Sequence, residues 1–128
     1  MSLSGAHKAA FRREALQQGQ IYAIRDDQGY PAPPGEDGRR AVPFWSRPTR
    51  ARRVADQATA YQGFEVVSIE LDDWLGGWLP CLERDGLLAG VNWAGARATG
   101  FDLTPAQVVE WFGAVERPAD TRMQVSAR

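Results

Sequence analysis

Apolar and polar residues recur along the chain with two periods, and the period identifies each element. Residues 85–103 carry the clearest strand signal. Residues 87–93 are apolar at odd and even positions alike, which predicts a strand covered on both faces in the interior of a sheet. A turn signal follows at Gly95. Thr99, Phe101 and Leu103 then alternate with Ala98, Gly100 and Asp102, the period of a strand with one face toward water. The pair reads as a hairpin. Further strands are expected over residues 21–24, 41–45 and 64–71. Pro43 has no backbone donor, which places the second of these at an edge or a bulge.

Helical spacing occurs four times. Ser4 is a cap for a first helix with apolar Ala6, Ala9, Ala10, Phe11 and Leu16, stopped at Gly19. Ser46 is a cap for a second, with Pro48 in the first turn and a narrow stripe of Ala51, Val54, Ala55 and Ala58. Leu71, Trp74, Leu75, Trp78, Leu79 and Leu82 repeat at three and four residues behind a cap from Asp72 or Asp73, but Gly76, Gly77 and Pro80 predict a break near Pro80. Thr104, Pro105 and Gln107 form a capping box for a last helix whose face is Val108, Trp111, Phe112 and Val115. Between the first two strands, residues 28–38 hold three Pro and three Gly and read as a long surface loop.

These elements predict an α+β fold, a single domain over residues 1–115 followed by a mobile tail over 116–128. The expected core is a mixed sheet of about five strands with helices mainly on one face. Helical crossovers between the second and third strands and between the third and fourth imply parallel neighbours, whereas the hairpin is antiparallel.

Composition narrows the function classes more than it names one. The 128 residues are 44% apolar and 24% charged, with 15 basic and 16 acidic side chains. That balance argues against a general nucleic-acid binder. Cys81 is the only Cys and His7 the only His, so neither an internal disulfide nor a Cys/His zinc site is expected, and nucleophilic catalysis lacks a convincing base. Cys81, next to Pro80, reads as a small buried side chain. With no apolar leader and no stretch long enough for a membrane span, a cytoplasmic location is expected. No cofactor is expected.

Four groups of polar or aromatic residues remain as candidate chemistry. Asp26, Asp27, Glu36 and Asp37 are hard oxygen donors, but their spacing fits no calcium loop and Asp beside Gly is turn chemistry, so no metal is assigned. Arg47, Arg50 and Arg53, with Arg39 and Arg40, suit phosphate or an acidic protein surface, or a solvated face paired with local acids. Asn92 lies in a strand apolar on both faces, so its amide must meet loop backbone or a ligand. Trp45, Trp93 and Arg97 stand at strand ends, where together they would make an aromatic and cationic surface for a partner protein.

Residues 42–46 (Val-Pro-Phe-Trp-Ser), 69–80 (Ile-Glu-Leu-Asp-Asp-Trp-Leu-Gly-Gly-Trp-Leu-Pro) and 85–93 (Asp-Gly-Leu-Leu-Ala-Gly-Val-Asn-Trp) together resemble an uncharacterised bacterial family, domain of unknown function 2750, over about residues 10 to 112. Asp26-Asp27-Gln28-Gly29 is similar to its acidic turn. A looser similarity links the Asp-Gly loop and the Pro-Phe-Trp-Ser run to the N-terminal domain of SseB-type secretion-associated proteins. The family resemblance implies a small intracellular protein and carries over no catalytic residue. The sequence therefore favours a non-enzymatic protein-interaction module, regulatory or immunity-type, with Trp45, Arg47, Asn92, Trp93 and Arg97 as binding residues; self-association is compatible with it. The alternative is a small-molecule binder or an enzyme with its site near Asn92 and Arg97.

Overall fold

The structure, a computed structural model, describes residues 3–35 and 37–120. The order is α1 (Leu3–Gln18), β1 (Gln20–Arg25), β2 (Ala41–Phe44), α2 (Pro48–Gln57), a short 3-10 turn (Thr59–Tyr61), β3 (Glu65–Glu70), α3 (Leu71–Asp73), a π-helical turn (Trp74–Trp78), α4 (Leu79–Arg84), β4 (Leu88–Ala94), β5 (Thr99–Leu103) and α5 (Pro105–Asp120). The fold is a single α+β domain, as the periodicities predict.

The five strands are those expected, but they form two small sheets rather than one. β1 pairs antiparallel with β3, while β2 runs parallel to β4, which pairs antiparallel with β5. The parallel pairings expected between the second and third strands and between the third and fourth are both absent. β3 turns back along β1 instead, because the helix between β2 and β3 packs over the sheets without returning the chain beside β2. Among the described residues, the backbone bonds between the two sheets are the two of 2.8 Å that Tyr22 and Trp45 exchange. Pro43 contributes no backbone donor to extend that contact along β2.

Side chains alternate between two cores. Ile21, Ala23, Val42, Phe44, Ala89 and Val91 face α1, α3, α4 and α5, where Phe11, Trp74, Leu79, Val108 and Phe112 fill the space. Ile24, Ala41, Trp45 and Leu88 face α2 and the 3-10 turn, against Ala51, Val54, Ala55 and Tyr61. The small residues of α2 let that helix lie close to the strands. Trp74 is fully buried at the centre of the larger core, with the rings of Phe11, Phe44 and Phe112 centred 5.6, 5.3 and 5.8 Å away. Tilted and edge-on ring pairs of this kind are worth about 0.5–1.5 kcal/mol each beyond their burial.

Several local expectations change. α1 begins at Leu3, ahead of the Ser4 cap, and ends where Gly19 takes a φ of +71°, a conformation that costs glycine nothing. Asp72 and Asp73 lie within the first turn rather than at its cap. The chain does not break at Pro80. The helix widens beforehand, and Leu79 donates five residues back to the Trp74 carbonyl. Pro80 follows with no amide to leave unpaired, and the exposed Gly76 and Gly77 keep the widened backbone within reach of water. Cys81 is exposed rather than buried. The capping box forms as expected: Thr104 N–H donates to Gln107 Oε1 at 2.9 Å and Gln107 N–H to Thr104 Oγ1 at 3.0 Å. α5 continues to Asp120, past the expected end near Glu116, and the rest of the expected tail, residues 121–128, lies outside the described residues.

The β4–β5 ladder shifts register between Val91 and Ala94, and this bulge positions the site. Asn92 takes a φ of +48°, uncommon for a residue with a side chain. The extra residue reverses the parity of the strand, so Trp93 joins the α2 core instead of following Val91 into the other. Its indole then lies on bare backbone. A Cβ on Gly90 would stand 2.5 Å from Trp93 Nε1, and one on Gly100 would stand 2.8 Å from Trp93 Cδ1. Gly90→Ala is therefore expected to displace the indole and cost about 1–3 kcal/mol in overpacking. Gly76→Ala, where an added Cβ meets nothing within 4 Å, should change stability by no more than about 1 kcal/mol. Urea unfolding of both variants, followed by tryptophan fluorescence, measures the difference.

Candidate functional site

The bulge and the chain leaving β2 bring four of the five predicted site residues together. Trp45 follows β2 and its Nε1–H donates to the Trp93 carbonyl at 2.9 Å. Ser46 comes next, fully buried, and its backbone N–H donates to Asn92 Oδ1 at 3.1 Å. Asn92 thereby satisfies its amide inside the protein; its Nδ2 also donates to Ser46 Oγ at 3.2 Å. Ser46 does not cap α2. Arg47 occupies the cap position without a side-chain bond there, and the Ser46 hydroxyl donates instead to Glu14 Oε1 at 2.7 Å.

Glu14 is the residue that the sequence reading missed. It lies on α1, is only 5% exposed, and receives Arg47 Nε at 2.9 Å and Arg50 Nη2 at 3.1 Å, both on Oε2. Its signal was available: it falls three residues after Phe11 and immediately before Ala15, so a charge interrupts the buried stripe of α1. Burial alone would raise its pKa. Hydrogen bonds from Ser46, Arg47 and Arg50, and the charge of Arg50, outweigh burial and lower the value from 4.5 to about 2. Two of the arginines read as a solvated face are thus spent holding this carboxylate, and the cluster pins α1 to the start of α2 across the ends of β2 and β4.

The exposed aromatic and cationic surface expected of Trp45, Trp93 and Arg97 is not formed, because Trp45 is 0% and Trp93 6% exposed. Arg97 instead stands in the turn between β4 and β5 and, with the edge of Trp93, lines a cleft of about 830 Å³. The turn is closed by Ala98 N–H donating to Gly95 O at 3.0 Å, and Ala98 sits at a φ of +54° with its side chain in the α2 core. Loop residues Gly35, Asp37 and Arg39 line the same cleft, as do Tyr61 and Asp102. Trp93 Nε1–H donates to Asp102 Oδ1 at 2.9 Å. The Asp102 carboxyl is raised by burial, lowered by this indole bond and raised again by the charge of Asp37; burial also raises the Tyr61 phenol. Asp37 and Arg39 were candidates in separate groups, whereas Tyr61 and Asp102 were not singled out from sequence, since nothing local marks residues from separate segments as neighbours.

A family model described as Protein of unknown function (DUF2750) matches residues 8–111. The chain belongs to the DUF2750 family. No curated protein matches it. The match does not extend to the SseB-type similarity, which stays an expectation of the sequence. In this DUF2750 chain, Asp26 and Asp37 close turns, each carboxylate accepting the backbone N–H two residues on, at 2.9 and 3.0 Å. Glu36 lies outside the described residues. Among the described residues, no group of three or more His, Cys, Asp or Glu is placed to hold a metal ion, and no helix is long and apolar enough to cross a membrane.

Glu14 binds its proton more weakly folded than unfolded, so its contribution is complete above about pH 4.5 and is lost as pH falls toward about 2. The shift corresponds to about 3 kcal/mol. Glu14→Gln should lose a comparable amount at pH 7, because Arg50 and Arg47 then face a neutral amide, and should flatten the decline in stability between pH 5 and pH 3. Urea unfolding at those three pH values compares the two proteins.

Proposed function

We propose that this DUF2750 protein binds a small polar molecule in the cleft beside Trp93. The observation that supports the reading is the concave site itself, which Arg39, Arg97, Asp37 and Asp102 line together with the edges of the buried rings of Tyr61 and Trp93. Convergent polar groups on an aromatic-lined depression are the layout of a ligand site, whereas a protein-docking surface would present an exposed apolar patch. Val109 is the one large hydrophobic residue that stands exposed among the described residues. This reading takes up the second of the two sequence alternatives, a site near Arg97, with Asn92 contributing through the bulge that sets Trp93.

A protein partner, which the sequence favours, draws support from α2, where exposed Arg52 and Arg53 border a shallow depression with Asp56 and have no ion pair among the described residues. An acidic surface would suit them. Thermal unfolding of the full chain against a panel of small metabolites separates the two. A cleft ligand at a hundredfold excess over its Kd adds about 2.7 kcal/mol of stability. Arg97→Ala should abolish that gain and leave the free protein unchanged, while Arg52→Ala with Arg53→Ala should leave it intact. A ligand whose effect survives Arg97→Ala sits elsewhere.

A further inference from the structure

The charges in the cleft specify more than its size. A Cβ placed on Gly35 would stand 3.7 Å from Asp37 Oδ1 and 3.8 Å from Asp102 Oδ2. Two carboxylates from segments far apart in sequence thus face the same point beside the Gly35 backbone. Each is fixed by a donor that leaves its charge in place: Asp37 by the Arg39 backbone N–H at 3.0 Å, Asp102 by the Trp93 indole at 2.9 Å. Among the described residues neither is joined to a cationic side chain by an ion pair, and neither is Arg97 or Arg39. The arrangement is fixed in advance, with the like charges of Asp37 and Asp102 held near each other and unneutralised.

The chemistry of the missing partner follows from which ligands the cleft penalises. A simple anion would meet the two carboxylates, and a simple cation would meet the two guanidinium groups. A divalent ion held by Asp37 and Asp102, with water completing its shell, would still leave the two guanidinium groups unpaired and would be repelled by them. A small molecule with an ammonium group and a carboxylate satisfies both signs at once, since an ammonium has three donors to share between carboxylates and a guanidinium grips a carboxylate with two. Taking the cleft as the ligand site proposed above, we infer that its ligand is a zwitterion of amino-acid type, with its ammonium between Asp37 and Asp102, its carboxylate on Arg97 and its side chain toward Tyr61 and Trp93.

The test is a titration of the isotope-labelled full chain with each standard amino acid, following the Trp93 indole N–H and the Arg97 and Asp102 amides by NMR. The best binder is then compared with its methyl ester, which keeps the ammonium, and its N-acetyl form, which keeps the carboxylate. Each blocked form is expected to bind about tenfold more weakly or worse. Asp102→Asn, whose amide oxygen can still accept from Trp93, should weaken the amino acid and the ester but not the N-acetyl form. Arg97→Ala should weaken the amino acid and the N-acetyl form but not the ester. A blocked form that binds as well as its parent overturns the inference while leaving a ligand in the cleft. If no amino acid perturbs these resonances the inference is wrong, and the cleft reading is then decided separately by the metabolite panel.

Discussion

Three polar side chains brought out of water together, and the two arginines that reach them, govern the centre of this molecule. Glu14, Ser46 and Asn92 are tolerable in the interior only as a set completed by the partly exposed Arg47 and Arg50 at the start of α2, because each supplies a hydrogen bond that another lacks. A carboxylate so nearly covered would otherwise take up a proton or open the helix to water. Completing the set requires Asn92 to turn toward α1, and it does so by adopting a left-handed backbone in mid-strand. The cost of that conformation, of order 1 kcal/mol or more, is offset by the bonds that Asn92 makes.

From that turn the remaining geometry follows. The strand leaves the bulge with its faces exchanged, Trp93 crosses onto the α2 side, and its carbonyl meets the indole of Trp45 while its own indole reaches Asp102. Two tryptophans that look like surface anchors in the sequence thus become parts of one scaffold. One belongs to the interior, and the other shows only an edge to the cleft. The candidate ligand site is consequently supported by a polar interior on one side and an aromatic packing layer on the other.

Much of this architecture is legible in the periodicities. The helix bearing Leu71, Trp74, Leu79 and Leu82, the capping box at Thr104 and the doubly covered strand through Val91 all follow from residue spacing, since each depends on neighbours within a few positions. The wrong expectations share a cause in tertiary context. Ser46 has the residue type of a cap, but its hydroxyl finds a better acceptor in Glu14. Pro80 looks like a breaker, but the helix widens one turn earlier. Alternation around Trp93 reads correctly on either side of a bulge that no single residue announces. The cleft depends on Gly35, Tyr61 and Asp102 meeting across more than half the chain, and local patterns carry no record of such meetings.

The narrow join between the sheets carries a mechanical consequence. Among the described residues, two backbone bonds between Tyr22 and Trp45 stitch one ladder to the other, so cooperativity across this seam comes from interdigitated side chains rather than from a continuous ladder. Relative sliding of the β1–β3 ribbon would strain few hydrogen bonds but would tear at aromatic packing on one side and at the alanine-rich contact with α2 on the other. The two halves are thus kept in register by shape, and their rigidity depends on how tightly both sides of the seam are filled.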